Sequence, residues 1–243
     1  MLAFAVGIGM PRVNAAPPPR VAQSPMQAEE FLRENAVDAI QILHASHEDL
    51  ACLRSTYQGV VFLGCPIDFS LVDMAGLIRR MDPRPQRALI PVVKGCAMEM
   101  KRSSIMTQAQ KAGIEIEVIS MEPAASSLRH VADRLSDFDV LIMTPSYELF
   151  GPEQMPYWVR LTARHGIPMV GAWADFQIKA GASVGFIRDA GNIQVELERQ
   201  VRDYLAGRTV NPNCLTTATI KVNKSVLEHI GVMFQLPEVL NGK

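Results

Sequence analysis

The sequence predicts an α/β fold built on mostly parallel sheets. Short apolar runs such as Ala88–Val93 (ALIPVV) and Val140–Thr144 (VLIMT) alternate with helical stretches. Those stretches are about 10–15 residues long, which is the rhythm of βαβ units. The runs are apolar throughout instead of alternating, as strands covered on both faces are. Of 243 residues, 48% are hydrophobic and 20% charged, enough to bury a substantial core. That composition excludes a disordered tail and a disulfide-stapled mini-protein.

Leu2–Met10 (LAFAVGIGM) is uncharged and apolar. It is far short of the roughly 20 residues a bilayer needs, and it has the length of a signal-peptide core. Val13 and Ala15 stand at the −3 and −1 positions of a cleavage site after Ala15. Residues 1–15 are read as a signal peptide, and the mature chain as exported, soluble and periplasmic; the alternative is a first strand of an intracellular fold. Pro17–Pro19 then begins a stiff extended leader.

Helical spacing of Met26, Phe31 and Leu32 predicts a helix over Pro25–Glu34, followed by the apolar run Ala36–Leu43. Ser46 can cap the next helix, Glu48–Thr56, whose acidic first turn suits the helix dipole. Val60–Gly64 reads as a buried strand and Leu71–Met81 as a helix. Asp82-Pro83-Arg84-Pro85 is the clearest break, a crossover or domain boundary. Beyond it come the strand Ala88–Val93, the helix Met98–Ala112 with Gly113 as its C-cap, the strand Ile114–Ser120 and the helix Ser126–Leu135. Val140–Thr144 and Ile167–Trp173 read as strands flanking the helix Gln154–His165. Ala182–Ile187, a long helix Ile193–Ala206, the strand Thr217–Val222 and the helix Lys224–His229 complete the chain.

Lys plus Arg is 24 against 25 for Asp plus Glu, and such balance disfavours nucleic acid, whose phosphates need a concentrated positive field. Cys52, Cys65, Cys96 and Cys214 are too irregularly spaced for a zinc ribbon or a CxxC redox site. A Cys65–Cys96 or Cys52–Cys65 disulfide stays open. Glycine-rich phosphate loops, GxSxG and HExxH are all missing. His44 and His47 with Glu48 or Asp49 can be a metal site or an ordinary surface loop, the latter being commoner. A Cys–His pair of Cys65 or Cys96 with His44 is weighed against idle thiols in the same way.

In open α/β sheets, ligands sit beyond the carboxyl ends of the strands. That rule singles out the loops at His44–Ser46, Gly64–Pro66, Lys94–Cys96, Thr144–Tyr147 and Trp173–Asp175. Tyr147 and Trp173 offer a flat face with a polar handle for a small ligand, or else they close the top of the core. Asp175 can pair a ligand amine or be a solvated acid. Lys94 can meet a carboxylate or be a surface lysine.

From Val37 to Lys243 the order of segments resembles the substrate-binding proteins of ABC transporters. The likeness is to the type I periplasmic class, and within it to the tryptophan/tyrosine-type binding proteins. It is carried by Val37–Ile40 (VDAI), Val60-Val61-Phe62 with Asp68, Ala112-Gly113-Ile114, Phe138–Leu141 (FDVL), Gly166–Val170 (GIPMV), Ala182–Gly185 (ASVG), Leu205-Ala206-Gly207, and the closing Asn223, Gly231 and Pro237. The resemblance implies two Rossmann-like lobes, the first shortened. Residues 16–83 plus about 188–210 would form lobe 1, and 84–187 plus about 215–243 lobe 2. It implies a non-enzymatic protein with no cofactor and no metal, holding a small, amino acid-like molecule between the lobes. The ligand-binding residues are expected to be Ser46, Asp68, Lys94, Thr144, Ser146, Tyr147, Trp173 and Asp175. Two departures stand out: Lys94-Gly95 occupies the place of the family's asparagine, and Thr144–Tyr147 that of its Asp or Asn. The partner is a membrane permease or, in the alternative reading of a sensor or adaptor, a membrane signalling protein.

Overall fold

The structure is a computed structural model. It describes residues 16–34, 37–67, 69–81, 87–96, 99, 101–122, 131–210 and 217–234. The signal segment 1–15, Asp68, the break at 82–85, the first half of the helix expected over Ser126–Leu135, Cys214 and Pro237 lie outside the described residues.

The described strands form two sheets. The smaller is parallel, in the order β1 (Arg20–Ala22), β2 (Ala39–Ile42), β3 (Val61–Gly64). Its helices are α1 (Pro25–Glu34) and α2 (His47–Thr56). The larger sheet runs β5 (Glu115–Met121), β4 (Arg87–Val93), β6 (Val140–Ile142), β7 (Met169–Ala172), β8 (Val184–Arg188), β9 (Ala218–Val222). All its pairings are parallel except the antiparallel β8–β9 edge. The chain is an α/β protein of two mostly parallel sheets, as the alternation of segments predicts.

Strand alternation sends the apolar runs to two cores. Leu89, Leu141 and Met169 face one side of the large sheet, against α6 (Met155–His165). Ala88, Ile90, Val140, Ile142 and Val170 face the other, against α3 (Leu71–Met81) and α4 (Arg102–Ala112). Both faces are covered, which is why these strands read as unbroken apolar runs. Gly113 and Gly166 end α4 and α6 at φ of 67° and 65°, a left-handed geometry that side chains resist.

The structure differs from expectation in three local places. Arg20–Ala22 is a strand where the extended leader was expected. Two short helices, α5 (Tyr147–Phe150) and α7 (Asp175–Ala180), occupy segments read as loops. Cys52, Cys65 and Cys96 are thiols, so neither disulfide left open above forms. After β8 the chain returns to the small sheet through α8 (Ala190–Leu205). There the fully buried Gln200 accepts from Gly64 N at 2.9 Å and donates to Gly64 O at 3.2 Å, tying α8 to β3. The described chain ends with α9 (Lys224–His229), capped by Asn223. No described helix is long and apolar enough to cross a membrane.

Candidate ligand-binding cleft

A chambered cleft runs along the carboxyl edge of the large sheet, walled on its other side by segments that follow β1, β2 and β3. The chain runs from β4 through α4 to β5 on one side, then returns to β6 on the other. The β4/β6 junction is therefore a switch point, where open sheets place ligands. A chamber of about 440 Å³ lies there, between Val92–Cys96 and Thr144–Ser146 on one wall and Asp49 and Cys52 of α2 on the other. A middle chamber of about 200 Å³ shares Pro145 with it and takes in Ile67, Phe69 and Ser70. The largest, about 780 Å³, shares Trp173 and Arg188 with the middle one and extends beneath α8 to Leu43 and His44.

The structure gathers the expected residues into this cleft unevenly. Lys94, Thr144 and Ser146 line the switch-point chamber. Lys94 is exposed and ion-paired to Glu122 at 3.3 Å. The buried Thr144 hydroxyl donates to Pro91 O. Ser146 caps α5, accepting from Leu149 N and donating to Glu148. Ser46 is buried and spends its hydroxyl on the α2 capping box, exchanging hydrogen bonds with Asp49. Tyr147 stacks on His44 with ring centroids 5.0 Å apart and planes 9° from parallel. That stack joins the segment after β2 to the segment after β6. Trp173 and Asp175 line the largest chamber.

Trp173 is 6% exposed and meets Phe150 edge-on at 6.1 Å. Its Nε1–H is buried and makes no hydrogen bond among the described residues. Asp175 is half-buried, and hydrogen bonds from Lys179 and then Lys221 pull its pKa down to about 2. A carboxylate held by two lysines has little capacity left for a ligand amine.

Three groups outside the expected set shape the cleft. Arg188, at the end of β8, donates to Pro66 O at 2.7 Å and Cys65 O at 3.0 Å, bridging the large sheet to the segment after β3. Burial, followed by the charge of Arg188, lowers the pKa of His44. Burial raises the pKa of Asp49 against the hydrogen bonds from Ser46, and the neighbouring Glu148 carboxylate adds to the rise. Arg188 was within reach of sequence reasoning, because it directly follows the strand read over Ala182–Ile187. The pairing of Asp49 with Glu148 was not, since it depends on how α2 meets α5.

No protein-family model and no curated protein matches the sequence. Solved structures do. An ABC domain from Streptococcus pneumonia, in complex with L-Trp, is similar with a TM-score of 0.73 and 14% identity, over 90% of this chain and 74% of its own. A conserved domain protein from Vibrio cholerae is similar at 0.64 and 18% identity, over 88% and 79% of the two chains. The ligand-free, open form of a substrate-binding protein with adhesive properties from Clostridium difficile is similar at 0.56 and 16%, over 90% and 75%. At such identities the likeness concerns architecture, and the chain has the two-sheet α/β fold of the type I periplasmic binding proteins.

Proposed function

We propose that the chain is an extracytoplasmic solute-binding protein of an ABC-type transporter, closing two lobes on a small molecule that a membrane permease then receives. The proposed lobes follow the expected division, 16–83 with about 188–210 and 84–187 with about 215–243. α3 links β3 to β4 and packs against the larger sheet, whereas α8 leaves the larger sheet after β8 and ties onto β3 before the chain returns to β9. The observation that carries the reading is the cleft itself: segments from both sheets meet across it, and a nine-tenths buried tryptophan, its N–H unpartnered among the described residues, stands in a wall two chambers share. A ligand touching both sides favours the closed arrangement by its differential contacts. The L-Trp held by the similar streptococcal domain supports an organic solute of that size.

The test is a thermal-shift screen of the protein with amino acids, organic acids, amines and nucleobases, alongside tryptophan fluorescence. A ligand at 100 times its Kd stabilises the native state by about 2.7 kcal/mol. In a chain of this length that is roughly 5–11 °C in Tm. A shift from one chemical class, with a change in Trp173 emission, supports the reading. A cooperatively melting protein that no compound shifts overturns it in favour of a partner-binding sensor.

A further inference from the structure

We infer that Cys52 and Cys96 are a redox pair across the cleft, and that their oxidation to a disulfide fastens the two lobes together at the switch-point chamber. The inference rests on the two-lobed solute-binding reading and adds a covalent control to the same cleft.

Placement supplies the first observation. Cys52 of α2 and Cys96, in the turn after β4, line one chamber of about 440 Å³ from opposite walls. α2 belongs to the smaller sheet and β4 to the larger, so the two thiols stand on different lobes. Both are half-buried, within reach of a small reagent, whereas Cys65 is 2% exposed and lines none of the three chambers.

Orientation supplies the second. Glu48 and Cys52 are one turn apart on α2, and residues four apart share a helix face. Lys101, five residues past Cys96, donates to Glu48 Oε1 at 3.0 Å. That ion pair turns the Cys52 face of α2 toward the segment carrying Cys96. Asp49 and Leu53 line the chamber beside Cys52. Cys96 is itself fixed by its turn: its N–H donates to Val93 O at 3.2 Å, and its Sγ accepts from Glu99 N–H at 3.4 Å.

A disulfide needs Cα atoms about 4.4–6.8 Å apart. Reaching that range draws α2 toward the β4 turn and narrows the chamber, the same motion that closes the lobes. The extracytoplasmic space is oxidising, and a small disulfide such as oxidised glutathione serves as the oxidant. One cysteine thiolate attacks it, breaking its S–S bond and releasing one glutathione. The second thiolate attacks the mixed disulfide, forms the Cys52–Cys96 bond and releases the other glutathione. Two electrons pass to the glutathione sulfurs, which take up the two protons that the cysteines gave up.

Incubation of the full chain with oxidised glutathione, alkylation of the remaining thiols and peptide mapping by mass spectrometry test the inference. The expected product is an intramolecular Cys52–Cys96 bond that a reductant reverses. It closes a long loop, and Tm should rise by roughly 5–15 °C. Cys52→Ser and Cys96→Ser should melt like the reduced parent. Each should abolish the rise and hold glutathione as a stable mixed disulfide on the remaining thiol. A persistent mixed disulfide in the parent, a bond to Cys65 or Cys214, a link between two chains, or an unchanged Tm overturns the pair and leaves solute binding standing. A Cys52–Cys96 bond in a protein that no compound of the wider screen shifts keeps the pair and overturns the solute-binding reading.

Discussion

Gly185→Ala tests the geometry that holds Trp173 in place. Gly185 lies in β8 opposite Ala172 of β7, where the register between the two strands shifts. A Cβ at 185 would overlap the Ala172 carbonyl oxygen and stand 2.6 Å from both its carbonyl carbon and its Cβ. The neighbour is backbone and cannot rotate aside, so β7 and β8 must separate locally. Overpacking of this kind costs about 1–3 kcal/mol, and a backbone clash belongs at the upper end. For about 3 kcal/mol the loss in a chain of this length is roughly 6–12 °C in Tm. Trp173 directly follows Ala172, so its emission should change in the folded variant as well. Thermal melts and fluorescence spectra of the two proteins measure both effects. A variant that melts within about 2 °C of the parent, well below that range, with an unchanged spectrum, would refute the argument.

Gln200→Ala removes both hydrogen bonds to Gly64 in a fully buried position. It should cost about 2–4 kcal/mol in urea unfolding through unpaired groups and a new void; a loss below half that would mean α8 does not depend on this tie. Ser46→Ala dismantles the α2 capping box and should cost about 0.5–2 kcal/mol. Ligand affinity should hold, because that hydroxyl is committed to Asp49; a large affinity loss at constant stability would make it a ligand contact instead. His44 has a folded pKa below its usual value of 6.5. The unfolded chain therefore takes up the proton first as pH falls, and stability is lost from about 6.5 down to the folded pKa. The raised pKa of Asp49 acts with the opposite sign above about 3.8, where stability falls as pH rises. The drop in unfolding free energy between pH 7.5 and 5.5 should accordingly be smaller in His44→Gln than in the parent. An equal drop would remove His44 as its source.

Most of the fold is legible in the sequence because the large sheet is covered on both faces. β6, β7 and β4 from Ala88 onward had to be apolar on every residue, and that pattern is hard to mistake. Helices read from capping signals were equally clear: Ser46 before an acidic turn gave α2, and Gly113 and Gly166 closed α4 and α6. The misses share a physical cause. β1 has three residues, and two of them are exposed, so Arg20-Val21-Ala22 carries no apolar signal of its own and is a strand only because β2 offers it hydrogen bonds. α5 has four residues and α7 six, with their stability coming from caps and from tertiary contacts such as Gln177 on Phe150 O at 3.0 Å. Helices that short have no periodicity to read.

The site was legible by position and illegible by role. The strand-end rule led to Trp173, Thr144 and Ser146 correctly as neighbours of the cleft, because a parallel sheet leaves nowhere else for its loops to gather. Whether a polar side chain there is available to a ligand depends on its other partners, and those come from distant segments. Asp175 looked like an amine receptor until Lys221, 46 residues away, closed on it at 2.6 Å. Ser46 and Ser146 looked like ligand hydroxyls until each proved to be capping its own helix. Trp173 is the converse case, because tertiary packing buried its ring and left its N–H without a partner among the described residues.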